Sequence, residues 1–235
     1  MSLLTIVHDA MAICRQPVPS VVYSSTDPGV KMFRALAQEA GDAHVEEHGW
    51  RPNKVLGQLT GDGSETQFSL PADFDRMMPG NPLWQSDWPG QSLRRVTDEQ
   101  MLAAKLSVVE PLRPVWRMFG NNLEFYPAPD DGTIIKFEYR SRWWISDVDG
   151  ALRRERWAAD DDYSMIPERL IKLSLIWRWK ASQGLEYAED MQNWQVATAS
   201  YQFGDASHTP ITIRRRMLDG GLATGVIGDV PVVVP

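Results

Sequence analysis

The chain has 235 residues and a formal net charge of -7 at pH 7, with 43% hydrophobic residues and ten tryptophans (Trp 10). That length fits one large domain or two small ones, and the apolar content excludes wholesale disorder. The acidic balance argues against a dedicated nucleic-acid binder, whose contact surface needs net positive charge, and the surplus of tryptophan points to protein interfaces.

Residues 3–15 place Leu3, Leu4, Ile6, Val7, Ala10, Met11 and Cys14 at helical spacing, with Pro17 and Pro19 beyond the end. Cys14 is the single cysteine, so no intramolecular disulfide forms, and on this helix it reads as a small buried hydrophobe. The N-terminus lacks a basic region followed by an apolar run, so no signal peptide is expected. No run approaches the roughly 18 apolar residues of a membrane span, and no membrane partner is expected.

Asp27 is a good N-cap and Pro28 a good first residue for a second helix, whose apolar arc is Met32, Phe33, Leu36, Ala37, Ala40 and Ala43. It stops near Gly49-Trp50. From Arg51 the period changes. Val55 to Thr60 and Thr66 to Leu70 read as strands of a hairpin around residues 61–65. Residues 79–92, rich in Pro, Gly and Trp, read as a surface loop stapled by Trp84 and Trp88. Thr97-Asp98-Glu99-Gln100 is a capping box opening a short helix. Val115 to Phe119 and Leu123 to Tyr126 flank Gly120-Asn121-Asn122 as a second hairpin. Between Thr133 and Ile145, Ile135, Phe137, Tyr139, Ser141 and Trp143 share one strand face, with Lys136, Glu138, Arg140 and Arg142 opposite. Residues 147–162 form a polar connection.

Pro167 to Phe203 reads as an antiparallel pair of helices with Gly184 as the stop between them. In the first, Leu170, Leu173, Trp177 and Ala181 form one stripe, yet Ile171, Leu175, Ile176 and Trp179 make the cylinder apolar almost all round. Such a helix is buried on more than one side. Tyr187, Met191, Trp194, Thr198 and Tyr201 share one face of the second. Beyond residue 205, Ile211 to Ile213 reads as a short strand. The Gly- and Val-rich end, with Arg214, Arg215 and Arg216 before it and Val230, Val232, Val233 and Val234 at its close, has too few large side chains for a core of its own.

The expected fold class is α+β. Residues 1–50 and 163–205 form a discontinuous antiparallel helical bundle, residues 51–162 an inserted, mostly antiparallel β-rich domain, and residues 206–235 an extended C-terminal tail. Interfaces are expected at Trp177, Trp179, Arg214 to Arg216, Val230, and Val232 to Val234.

His44-Val45-Glu46-Glu47-His48 matches the H-x-x-E-H pattern of zinc peptidases, because two His at i, i+4 share a helix face. Gly49 ends the helix at once and no third ligand stands out, so a metal-dependent hydrolase using His44, Glu47 and His48 is kept as the alternative reading. Asp160-Asp161-Asp162 lacks the alternation and glycine of a calcium loop and reads as an N-terminal helix signal. Gly61-Asp62-Gly63 lacks the context of a phosphate loop. No Ser or Cys has an evident His partner, and of Trp143-Trp144 one ring is expected in the core and one at the surface. No catalytic, cofactor or metal site is expected.

Three stretches in order carry a resemblance: the Leu3-to-Cys14 helix leading through Ser25-Thr26-Asp27-Pro28 to His48-Gly49-Trp50; Phe68-Ser69-Leu70-Pro71-Ala72-Asp73-Phe74-Asp75-Arg76; and Leu175-Ile176-Trp177-Arg178-Trp179-Lys180 followed by Gly184-Leu185-Glu186-Tyr187-Ala188-Glu189-Asp190. The set resembles the head-to-tail adaptor (connector) proteins of short-tailed and related tailed bacteriophages, over about residues 1–205. The resemblance implies a structural virion protein and not an enzyme. It implies a ring of twelve copies beneath the portal protein, extending the DNA channel and offering a platform to tail nozzle or tail tube proteins. Genomic DNA would pass the lumen without specific binding. The protein would be made in the host cytoplasm and end at the head–tail interface of the virion.

Overall fold

The computed structural model describes residues 2–78, 80 and 82–205. Among them are five helices and a large mixed sheet, so the fold class is α+β. The expected tail of residues 206–235, with the strand at Ile211 to Ile213, lies outside the described residues.

Helix α1 (Leu3–Ile13) begins at Ser2, whose hydroxyl accepts from the Thr5 amide, and buries Leu3, Ile6, Val7, Ala10 and Met11. Helix α2 (Pro28–Glu47) has Asp27 as its cap, as the sequence indicates; its Oδ1 accepts from the amides of Gly29 (2.7 Å) and Val30 (3.2 Å). Each such bond satisfies an amide that the first helical turn cannot. The buried arc of α2 is Val30, Phe33, Ala37, Ala40, Gly41, His44 and Val45, rotated from the expected one, with Met32 and Ala43 only half-buried. The rotation has a visible cause. A Cβ on Gly41 would stand 2.0 Å from the Trp144 ring, so the helix closes on that indole at the position where it has no side chain.

Helix α4 (Glu168–Ser182) packs against α1, α2 and α5 (Ala188–Asp205). Gly184, at φ 67°, makes the reversal between α4 and α5 in the left-handed region open to glycine. The expected stripe is displaced: Leu170, Ile171, Ser174, Leu175 and Ile176 are buried, whereas Leu173, Trp177 and Ala181 are half-buried. Two neighbouring helices, α1 and α2, both pack against α4, which widens its buried face. Helix α5 contacts α4 and, among its described side chains, buries Ala197 and Thr198, leaving Tyr201 exposed, as is Tyr187 just before it.

The strands are β1 (Lys54–Thr60), β2 (Gln67–Ser69), β3 (Phe74–Met77), β4 (Leu83–Gln85), β5 (Ser92–Arg95), β6 (Val115–Phe119), β7 (Asn122–Tyr126) and β8 (Ile134–Ser141), in the order β1-β8-β4-β5-β6-β7-β2 with β3 also on β8. All pairs are antiparallel except β5–β6. The hairpin at Gly120-Asn121 forms as expected, with Phe119 opposite Asn122 and Gly120 at φ 59°. The hairpin expected around residues 61–65 does not: β1 pairs β8 and β2 pairs β7, at opposite ends of the sheet. Gly61 instead pairs with the turn before β8, its amide donating to Thr133 O (2.8 Å) and its carbonyl accepting from Gly132 (3.1 Å). Asp62 then folds the tip locally by accepting from the Ser64 and Glu65 amides. Residues 79–92 also differ from the expected loop, because β4 inserts Leu83 and Gln85 beside β8 and β5 starts at Ser92.

Strand β8 alternates as read from Ile135 to Tyr139, then the alternation fails: Arg140 and Ser141 are both buried. The Arg140 Nε donates to Asp75 Oδ2 at 2.6 Å, so β3 supplies the counter-charge that lets Arg140 go inside. The strand ends at Ser141, and it is Trp144, not Trp143, that is fully buried. A short sheet of β9 (Ile145–Ser146), β10 (Arg153–Arg154) and β11 (Tyr163–Ser164) follows, with α3 (Asp98–Leu106) and its predicted capping box lying earlier between β5 and β6.

Two apolar cores result. One joins α1, α2, α4 and Ala197 with Trp50, Trp144, Ile145, Trp157 and Ile166; the other joins Phe68, Leu70, Leu83, Leu93, Trp116, Leu123, Phe125, Ile135, Phe137 and Tyr139. Residues 144–157 therefore carry bulk into the helical core, although the connection reads as polar in the sequence.

Candidate interaction surfaces

The two histidines of the H-x-x-E-H match are not set up as metal ligands. Helix α2 ends at Glu47, and His48 is its C-cap with extended backbone (φ -131°, ψ 140°), so the two imidazoles do not share a continuous helix face. His44 is buried and its Nε2 accepts a hydrogen bond from Trp194 Nε1 at 3.1 Å. Its lone pair is therefore committed. Burial lowers the His44 pKa, Glu47 opposes that shift and Arg178 adds to it. The carbonyl of His44 accepts from Trp50 Nε1 at 3.0 Å. This histidine holds α2, α5 and the entry to the β region together. Among the described residues no group of three or more His, Cys, Asp or Glu side chains is placed to hold a metal ion.

The triple aspartate is likewise occupied. Asp160 Oδ1 accepts from the amides of Val22 (3.0 Å) and Tyr23 (2.7 Å). Asp162 accepts from Ala158 and Ala159 (2.6 and 2.8 Å) and pairs with Arg154 at 3.0 Å. The carbonyls of Asp160 and Asp162 take the orphan amides of Leu4 and Leu3 at the start of α1. This is a clamp on the N-terminal segment rather than a cation site, and it lies before β11 rather than on a helix terminus.

Under α3, Glu124 is buried between Lys105 and Arg117, with Arg117 Nε donating to Oε2 at 2.5 Å. Burial alone would raise the Glu124 pKa; the bonds from Lys105 and Arg117 outweigh it and hold the carboxyl below its usual value. Arg117 also reaches Asp98 in the first turn of α3 at 3.2 Å. Two carboxylates and two cations thus meet under α3.

Trp177 and Trp179, expected at interfaces, make contacts within the chain. Trp179 stacks on Phe33 of α2, with ring centroids 5.7 Å apart. Trp177 faces Trp194 (5.7 Å) on α5 and Tyr187 (6.3 Å) just before it, with Arg178 over its ring. Both keep part of their surface exposed. Arg214, Arg215, Arg216, Val230, Val232, Val233 and Val234 lie outside the described residues.

The largest apolar exposures are elsewhere, and periodicity had not marked them. Leu102 and Leu106, one turn apart on α3, continue into Val108, Val109 and Leu112; Leu106 is 85% exposed and Leu112 86%. Their signal was present as an apolar helix end running into an apolar loop with few charges. A second exposure lies on α5, where Val196 is 64% and Phe203 79% exposed. Beside Val196 a groove of about 370 Å³ is lined by Arg169, Leu173, Asn193, Val196, Ala197 and Ser200. Single exposed apolar residues need no explanation, but contiguous ones mark places where another surface lands. No described helix is long and apolar enough to cross a membrane, so a bilayer-spanning helix does not account for them.

Among the described residues, buried His44, Arg117, Glu124, Arg140 and Asp162 each bond within the fold. The family model for the SU10 adaptor protein matches residues 1–220, which includes both apolar surfaces and both cores. No curated protein matches the chain. The match spans most of the 235 residues, and with it the chain belongs to the SU10 adaptor protein family, a family of phage head-to-tail adaptors.

Proposed function

We propose that this chain is the structural subunit of a dodecameric ring that sits beneath the portal, lengthens the DNA channel and presents a platform to the tail nozzle. The family match over residues 1–220 is the observation that carries this reading. The acidic charge of -7 supports it, because a negatively charged lumen lets DNA slide without adhering. The exposed apolar surfaces on α3 and α5 support it as well, since a chain that worked alone would gain nothing from them.

On this reading residues 1–50 and 163–205 act as one antiparallel helical bundle, and residues 51–162 act as the β-rich part inserted into it. The half-exposed Trp177 and Trp179 border a neighbouring subunit, while residues 206–235, with their Arg and Val clusters, reach a neighbour or the portal. The protein does its work in the virion, after assembly in the host cytoplasm. It is a scaffold and not an enzyme.

The test is a phage carrying a null allele of this chain. DNA-filled heads without tails should accumulate in lysates viewed by electron microscopy. Tailed particles of normal yield and infectivity would refute the reading.

A further inference from the structure

Two apolar surfaces on one chain, different in shape and opposite in charge, form a complementary pair. One is convex: Leu106, Val108, Val109 and Leu112 stand out at the end of α3 and in the loop before β6, with Glu110 exposed among them. The other is concave: the groove of about 370 Å³ beside α4 and α5, floored by Leu173, Val196 and Ala197, with exposed Arg169 at its edge. Glu110 and Arg169 form no ion pair among the described residues. Neither surface covers the other within the chain, because both are open to solvent.

We infer that residues 106–112 of one copy dock into the α4–α5 groove of the next copy, with Glu110 placed on that copy's Arg169. This rests on the ring reading and goes further, by naming the surfaces that join the subunits. The contact is heterologous, head to tail. A surface that pairs with a different surface on an identical chain propagates, and closes into a ring when the rotation per step allows. In a two-fold dimer each copy would fill the other's groove and leave nothing to propagate; in a ring the protrusion and the groove meet different neighbours. Apolar burial provides the adhesion and the charge pair fixes the register.

The partner is a second copy rather than an unrelated protein because both halves of the fit are present on this chain. Of the cations flanking the protrusion, Lys105 is bonded to Glu124 and Arg113 lies over the Trp88 ring, which leaves Glu110 as its exposed charge. The groove side answers with apolar floor and one base. Loop residues that face only solvent would ordinarily be polar.

The test is charge reversal across the contact in the full-length protein, read by native mass spectrometry and sedimentation, alone and with the portal. Glu110→Arg places two cations together and should weaken subunit association by about tenfold or more, as should Arg169→Glu. The double variant should recover association close to that of the unaltered chain. Val109→Asp should abolish rings without loss of helical circular dichroism, since the residue is exposed and the fold does not need it. Single variants that assemble normally, or a double variant no better than its parents, would overturn the contact. Rings that persist in the variants but no longer hold the portal would also overturn it, assigning the protrusion to the portal instead. An unaltered chain that stays single even on the portal would remove the ring reading itself, which is a separate outcome.

Discussion

The indole of Trp194 on α5 donates to the Nε2 of His44 on α2 at 3.1 Å, a bond between residues that helical periodicity alone would not bring together. It requires a neutral His44. Burial already lowers the His44 pKa from 6.5, so the folded chain resists protonation there while the unfolded chain does not. The unfolded state then binds more protons just below pH 6.5, and stability falls as pH drops through that range; above it the contribution is complete. Acid unfolding followed by tryptophan fluorescence should begin below about pH 6.5 in the native chain. In His44→Phe that component should vanish even if the variant is less stable at pH 7.

Gly41 and Trp144 make the tightest seam between α2 and the segment after β8. With a Cβ 2.0 Å from the ring, Gly41→Ala forces helix and indole apart. Overpacking of this kind costs about 1–3 kcal/mol. Thermal melts should show that loss, and hydrogen exchange should speed up near Asp42, whose Oδ1 accepts from Trp144 Nε1 at 2.9 Å. An unchanged melting temperature would contradict the packing described.

Glu124 sits in register opposite Arg117 and takes a second bond from Lys105. Removing one member of a buried pair strands the other, at a cost of about 3–5 kcal/mol. Arg117→Ala should therefore destabilise the β core far more than an exposed arginine such as Arg94 would. The Glu124 carboxyl is held below its usual 4.5, so its contribution is present above that value and lost as pH falls through the lower, folded one. Glu124→Gln should flatten this acid limb, while Arg94→Ala should leave the stability measured by urea unfolding within about 0.5 kcal/mol of the native chain.

Asp162 and Asp160 tie residues 2–4 and 22–23 to the segment before β11. Asp162→Ala should cost about 2 kcal/mol, within the range for hydrogen bonds to charged groups. Its mark should be faster amide exchange at Ala158 and Ala159, whose amides the carboxylate accepts from, with the core of α4 unchanged. Added calcium should have no effect on the native chain's melt, and a clear rise would contradict the assignment of these carboxylates to backbone amides.

Deleting residues 218–235 tests the proposed reach of the tail. The fold of residues 2–205 should keep its melting temperature, while attachment to the portal or closure of the ring should weaken. If docking and ring stability are unaltered, the tail has no such role.

Helix existence was legible because the caps are local. Asp27-Pro28, the Thr97–Gln100 box and Gly184 each act within a few residues, and each stands where the sequence put it. The face each helix buries was less legible. Ser174 and Gly41 are buried because of what α1, α2 and Trp144 present to them, which no window along one helix contains. Strand pairing was read correctly only where the turn is tight, at Gly120-Asn121. Gly61-Asp62-Gly63 has hairpin chemistry, yet its backbone bonds go to residues 129–133, more than half the β region away. The H-x-x-E-H match fails for a local reason legible in the sequence, the helix stop at Gly49, and for a distant one that is not, the bond from Trp194 to His44. The protrusion at residues 106–112 is not legible from periodicity, which finds apolar residues that are buried, whereas these are exposed.

The most direct test of the adaptor account is the mass and outline of the purified full-length chain, alone and mixed with its cognate portal, by native mass spectrometry and negative-stain imaging. The account predicts a closed ring of many copies, formed either in free solution or on the portal, with the ring stacked coaxially beneath it. A compact single copy that remains single in the presence of the portal would contradict it.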